Sequence, residues 1–174
     1  MAYTPIKVAN EFIARFGEGG DIDHMKLQKL LYFANGWYLG LAGQPLISEN
    51  PQVWRYGPVF RWLYNAFSKF GRSRITQPVA GNPFANGEPD RLDQAGLEDI
   101  GRLIDWIWGE YGGKTGIQLS DETHAPGTPW RRLAEQSGFR VPLDTEIPPH
   151  EDYEYFSKLV AARGWTPAPF QPQS

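Results

Sequence analysis

Three histidines, His24, His124 and His150, are the only imidazoles this chain offers for acid-base or metal chemistry. With Asp21, Asp23, Asp121 and Glu122 they supply the donor types of a His/carboxylate metal site, or of a small hydrolase built on His24, Asp21 and His124. Their spacing does not fit that chemistry. There is no HExxH or HxH, and no two histidines share a helical face. The plainer reading puts His24 in a first helical turn and His124 at a helix end, where an imidazole can cap carbonyls. No serine lies in a GxSxG elbow, no GxxxxGK[ST] or GxGxxG is present, and GEGG at 17–20 reads as a turn. The expectation is therefore no catalytic residue, no cofactor and no metal.

A second concentration of chemistry is WRYGPVFRWLY at 54–64 followed by KFGRSR at 69–74. Aromatic and guanidinium groups at this density can stack bases, which opens a nucleic-acid-binding regulator using Arg55, Arg61, Arg72 and Arg74. Two observations weigh against it. Phe60, Leu63, Tyr64 and Phe67 have the spacing of an inward face, and the net charge of −3 gives no overall attraction for a phosphate backbone. Nucleic acid is not the expected partner. A third feature is THAPGTPW at 123–130, a helix end, a glycine turn and a proline-started helix in eight residues. It is either a hydrogen-bonded corner or, with Tyr56 and Lys26, the lining of a shallow polar groove around Thr123, His124 and Trp130.

The elements that must position these residues are mostly helical. Thr4-Pro5 caps and starts a first helix, with Ile6, Ala9, Phe12, Ile13 and Phe16 on one side and Gly17 as its stop. Asp21 or Asp23 caps a second, in which Leu27, Leu30, Leu31, Ala34, Trp37, Tyr38 and Leu41 recur at helical spacing up to Gly43. Gly36 and Gly40 inside it predict a close neighbour, because each costs about 1 kcal/mol relative to Ala. Leu46-Ile47 and Val53-Trp54 read as two extended pieces that pair as an antiparallel ribbon. Pro58 opens a third helix, Val59 to Phe70, and 72–92 is a long Gly/Pro/Asn/Arg-rich loop. Asp93 caps a helix ending at Gly112-Gly113, Thr115 to His124 is a short one, and Thr128-Pro129 starts another to about Gln136. A last helix covers Ile147 to Arg163. The fold class is mainly α: a compact single domain of about six helices over 1–164, with one short ribbon at about 45–55. A proline-rich flexible tail at 165–174 follows.

The 174 residues, with 41% hydrophobic and 14% aromatic side chains, suffice for one well-filled core. The absence of cysteine excludes disulfides, thiolate nucleophiles and cysteine-ligated metal, and suits a reducing compartment. MAYTPIKVANEF lacks a signal-peptide pattern, and no apolar run approaches the roughly 20 residues that cross a bilayer. A cytoplasmic protein without a membrane partner is expected.

MKLQKLLYFANGWYLGLAGQPL, WRYGPVFRWLY and LSDETHAPGTPWRR, in that order, resemble the Panacea domain, the SocA-like family of antitoxins and phage-associated proteins; the likeness spans roughly 5–160. It rests on Lys26, Leu27, Lys29, Leu30, Tyr32 and Phe33, on Tyr56 to Val59, and on Thr123, His124, Pro129 and Trp130. The resemblance implies a mostly helical, non-enzymatic domain that neutralises a cognate protein toxin. It would do so by direct binding, or as an adaptor delivering the toxin to an ATP-dependent protease. The partner-binding candidates are then Lys26, Lys29, Arg55, Tyr56, Arg61, Trp62, Thr123, His124 and Trp130, with the 72–92 loop and the tail free for member-specific contacts.

Overall fold

In the computed structural model, which describes residues 2–82, 84 and 86–172, one helix is wrapped by the rest of the chain. The order is α1 (Pro5–Phe16), α2 (His24–Ala42), β1 (Gln52–Trp54), β2 (Gly57–Val59), α3 (Arg61–Phe67) with a 3-10 turn at Ser68–Phe70, α4 (Gln94–Tyr111), α5 (Gly116–Thr123), α6 (Pro129–Gln136) and α7 (Pro149–Ala162). Among the described residues the fold is mainly α, with seven helices where about six were expected and one two-stranded antiparallel sheet.

The central element is α2. Asp23 caps it by accepting the Lys26 N–H at 2.8 Å, and Gly43 ends it in the left-handed conformation at φ 74°, both as the sequence predicts. Its apolar residues recur at the predicted helical spacing, but burial extends around the helix, because α2 packs against α1, α3, α4, α5, α7 and β2. Its closest neighbour is α7. A Cβ on Gly36 would sit 2.1 Å from the Phe156 ring, and one on Gly40 would sit 3.0 Å from the Phe156 carbonyl oxygen. This is the close packing that the two glycines anticipated.

The ribbon is displaced from the expected 45–55. The N–H groups of Leu46 and Ile47 both donate to Asn35 Oδ1 at 3.0 Å. The same segment exchanges main-chain bonds with Tyr3: Tyr3 N–H to Leu46 O at 2.7 Å and Ser48 N–H to Tyr3 O at 2.8 Å. With those groups taken, Val53-Trp54 pairs instead with the residues after it, in the register Gln52↔Val59, Val53↔Pro58 and Trp54↔Gly57 across the turn Arg55-Tyr56. The far edge of β1 is also occupied, since Val53 N–H donates to Thr145 O and Ile147 N–H to Pro51 O.

Helix α3 consequently starts at Arg61, not at Val59. Gly57–Val59 stays extended, and the Gln28 amide holds the Phe60 main chain on both sides, accepting its N–H at 2.9 Å and donating to its carbonyl at 3.1 Å. The 72–92 loop is tied down at both ends of its described part. Asn10 Nδ2 donates to Val79 O and Asp90 O, Asn10 Oδ1 accepts Val79 N–H, and Ile75 is fully buried. Pro83 and Ala85 lie outside the described residues.

The segment read as a flexible tail runs along α2 over residues 165–172. Trp165 packs on Trp37 and Trp106, Ala168 N–H and Gln171 N–H donate to Gly40 O and Gly43 O, and Tyr153 donates to Ala168 O. Proline is compatible with this course because the bonds use only the N–H groups between the prolines. Gln173 and Ser174 lie outside the described residues.

Candidate functional site

Of the three motif-bearing stretches, 54–64 supplies the turn and second strand of the β1–β2 hairpin, and the other two converge on it. Three of their helices each take one hairpin carbonyl. Lys29 Nζ, from α2, donates to Pro58 O at 3.1 Å; Ser120 Oγ, from α5, donates to Tyr56 O at 2.5 Å; Trp130 Nε1, from α6, donates to Trp54 O at 2.8 Å. Gly57 lets them approach. At φ 109° it is in the region that favours glycine, and a Cβ there would lie 2.6 Å from Thr123 Oγ1 and 2.8 Å from Lys29 Cε. The corner after α5 is itself tied: Thr128 Oγ1 donates to the carbonyls of Thr123 and Ala125 and accepts Arg131 N–H. The result is a hairpin whose main chain is clamped from three helices while Arg55 and Tyr56 stand out at its tip, the guanidinium 5.3 Å from the phenol ring.

Beside the hairpin lies a cleft of about 610 Å³ between the start of α2, β1–β2 and α3. Trp54, Tyr56, Val59, Tyr64 and Ile117 give it apolar walls; Asp23, His24, Gln28, Lys29, Arg55 and Arg72 are its polar lining. Tyr64 was expected to face inward. It is instead 40% exposed, its ring tilted against His24 and Trp54 at 5.1 and 4.9 Å. Gln28 settles the state of His24. The Gln28 Oε1 is used by a main-chain N–H, so its NH₂ donates both to Phe60 O and to His24 Nε2 at 3.2 Å, which places the imidazole proton on Nδ1. Burial, then the Lys29 charge, brings His24 down to about 4, so the ring is neutral. Burial likewise brings the Lys29 ammonium down to about 7.

The candidate residues separate into two groups. Lys26, Lys29, Thr123 and Trp130 are buried. Lys26 belongs to another region altogether, donating to Gly20 O and Gly112 O at 3.0 and 2.6 Å with its ammonium over the Trp108 ring. Of the two readings of 123–130, the hydrogen-bonded corner forms and the polar groove of Lys26, Tyr56, Thr123, His124 and Trp130 does not, because the lysine and the threonine are spent on main-chain carbonyls. His124 caps α5 and stacks on Trp130 at 3.9 Å, and burial, then Lys29, lowers its pKa. Tyr56 and Trp62 are exposed at 56% and 69%. Arg61 pairs with Asp144 at 2.5 Å, and Trp62 lines a separate groove with Ile6, Glu49, Asp90 and Glu146.

The hydrolase triad does not converge. Asp21 is paired with Arg74 at 3.0 Å and lines a different cleft, with Lys26 and Trp108; His24 is bonded to Gln28; His124 is stacked on Trp130. Among the described residues no three His, Asp or Glu side chains gather to hold a metal ion. The four arginines of a nucleic-acid face are also divided, since Arg61 and Arg74 have carboxylate partners and only Arg55 and Arg72 line the cleft. Gln28 and Ser120 were missed. Both lie inside the quoted motifs, but neither is marked off from its neighbours by type or spacing.

The family model described as "Antitoxin SocA-like, Panacea domain" matches residues 27–131, the span from α2 to the start of α6 that contains all three clamping side chains. Among curated proteins the chain is similar to "Antitoxin SocA" of Caulobacter vibrioides (strain NA1000 / CB15N), 31% identical over 126 residues covering 72% of this chain and 67% of the relative. No solved structure matches. The motif order, the helical fold built around them and the two sequence matches agree: the chain belongs to the SocA-like antitoxin family that carries the Panacea domain.

Proposed function

We propose that the protein neutralises a cognate protein toxin by binding it directly at the surface around the hairpin tip, without itself catalysing a reaction. The observation that carries this reading is the pairing of a rigid main chain with an exposed apolar display. Tyr56, Tyr64 and Ile117, the last 68% exposed, surround one cleft, and Arg55 and Arg72 add guanidinium donors to it. Exposed aromatics and arginines on a pre-formed support are the usual energetic centres of a protein interface. Lys29, Thr123 and Trp130 serve this surface from beneath, as supports, whereas Lys26 lies in the separate region beside Trp108.

A second apolar face supports an adaptor role. On the other side of the hairpin, Val53, Trp54, Trp130 and Ala134 meet Val141 and the exposed Phe139, with the 88%-exposed Leu143 close by in sequence. Two faces on one support suit a protein that holds a toxin on one and meets an ATP-dependent protease on the other. Both partners would be met in the cytoplasm. No helix among the described residues is long and apolar enough to cross a membrane.

Co-expression with the product of the adjacent gene tests the reading. The neighbour is expected to arrest growth alone and to be harmless beside this protein; a neighbour that is harmless alone, or toxic in both cases, overturns it. Toxin half-life separates the mechanisms, since rapid decay only in the presence of this protein marks an adaptor and a stable complex marks sequestration.

A further inference from the structure

The cleft has an electrostatic character opposite to that of the chain as a whole. The net charge is −3, yet the cleft is lined by Lys29, Arg55 and Arg72, and among the described residues none of these three forms an ion pair. The one carboxylate in its lining, Asp23, is already committed as the α2 cap, accepting the Lys26 N–H. His24 contributes no charge in its neutral form.

Lys29 is the second, independent sign. Its side chain is 1% exposed, and its ammonium has three N–H donors but, among the described residues, a single acceptor, Pro58 O. The buried polar side chains just before it in sequence are better served: Gln28 makes three hydrogen bonds and Lys26 two plus a ring contact. A buried lysine with donors to spare, at the wall of an open cleft that also carries two guanidiniums, suits an anion, whose charge would favour its protonated form. The walls narrow the anion's class. Trp54, Tyr56, Val59, Tyr64 and Ile117 would exclude a bare hydrated ion and reward an apolar group beside the charge.

We propose that this cleft receives, from the bound toxin, an apolar side chain together with the carboxylate of an adjacent acidic residue, with Lys29 and the rim guanidiniums of Arg55 and Arg72 binding the carboxylate. The inference rests on the reading of the protein as a toxin-binding antitoxin and specifies the chemistry of the segment it would recognise. The apolar group fills the space between Tyr56, Tyr64 and Ile117. The carboxylate supplies the acceptors that Lys29 lacks and lies within the field of both arginines.

Two measurements test it separately. N-acetyl-phenylalanine and N-acetyl-phenylalaninamide, identical but for the carboxylate, are titrated against the isotope-labelled protein, following the Trp54 indole and the Arg55 and Tyr56 amides. The acid is expected to bind about tenfold more tightly than the amide, a preference lost in Lys29→Met and reduced in Arg72→Glu. Equal binding of acid and amide, no saturable binding, or an unchanged preference in a folded Arg72→Glu overturns the proposal. Co-expression with the toxin is the second arm. The Arg55→Glu/Arg72→Glu double variant, altered only at the cleft's rim, is expected to lose at least about tenfold in colony survival. If the double variant protects as well as wild type, the carboxylate reading fails while the antitoxin reading stands. If wild type itself gives no protection, the antitoxin reading fails, and the acid/amide comparison still decides whether the cleft recognises apolar carboxylates.

Discussion

The Tyr32 hydroxyl donates to Asp152 Oδ1 at 2.6 Å, joining α2 to α7 between two fully buried side chains. This bond is the polar centre of the largest helix contact in the molecule, and it comes with an unpaired atom, since Asp152 Oδ2 has no hydrogen-bond partner among the described residues. Burial raises Asp152 to about 7, against which the Tyr32 bond acts only in part.

The pH dependence follows from that direction. In the unfolded chain the carboxyl loses its proton near 3.8, whereas in the fold it keeps it to about 7. Between those values the folded state binds more protons, so the stabilisation present at low pH is lost as pH rises through this window. Asp152→Asn keeps an acceptor for Tyr32 and removes the titration. The variant is expected to be more stable than wild type by about 1–3 kcal/mol at pH 8, the advantage shrinking as pH falls from 7 to 3.8. Urea unfolding at a series of pH values measures this; a constant difference across the window contradicts it.

At Gly36 two effects oppose one another. Alanine improves helix propensity by about 1 kcal/mol, but its methyl group would meet a Phe156 ring that is wholly buried and has no room to retreat. The clash should win, giving Gly36→Ala a net loss of about 1–3 kcal/mol in chemical denaturation. Phe156→Leu in the same chain should recover part of it, which a simple loss of flexibility at Gly36 would not produce.

Trp130→Phe keeps the ring in place beside His124 but removes the indole N–H that serves Trp54 O. A partly buried carbonyl left without its donor costs about 1 kcal/mol. The sharper expectation is local. Amide exchange at Val53, Trp54 and Arg55 should speed up more than exchange in α4, which is far from the hairpin; uniform acceleration would point to global destabilisation instead.

For the C-terminal segment, Trp165→Ala should lower stability by about 1–2 kcal/mol through the loss of its edge contacts with Trp37 and Trp106. The fluorescence of Trp37 and Trp106 should shift to the red at the same time, as both gain water. An unchanged spectrum and unfolding midpoint would show that residues 165–172 leave the surface in solution.

The parts of this fold legible in the sequence are those governed by local chemistry. Asp23, Gly43, Thr128-Pro129 and Asp93 each mark the helix boundary they appear to mark, and Gly36 with Gly40 announces a close neighbour. The ribbon was misplaced because Asn35, far away on α2, removes the donors of Leu46 and Ile47 from pairing. α3 starts late because Gln28 holds Phe60 extended. Both are contacts between distant segments, for which the sequence carries no spacing rule. The cleft was hidden for the same reason. Tyr64 has the spacing of a core residue, and only the packing of Trp54 and His24 against it turns it into a wall. Lys29, by contrast, read as a partner-binding candidate, and nothing in its local sequence shows that β2 crosses over it and buries it.

Four polar side chains of α2 share a habit whose consequence reaches beyond stability. Lys26 holds Gly20 and Gly112, Gln28 holds Phe60, Lys29 holds Pro58 and Asn35 holds Leu46 and Ile47, in every case through main-chain atoms. A grip on N–H and C=O groups does not depend on the identity of the residues it holds. The helix thus fixes the path of the hairpin and loops while leaving their outward side chains unspecified, so one frame can present many different vocabularies of contact without being rebuilt.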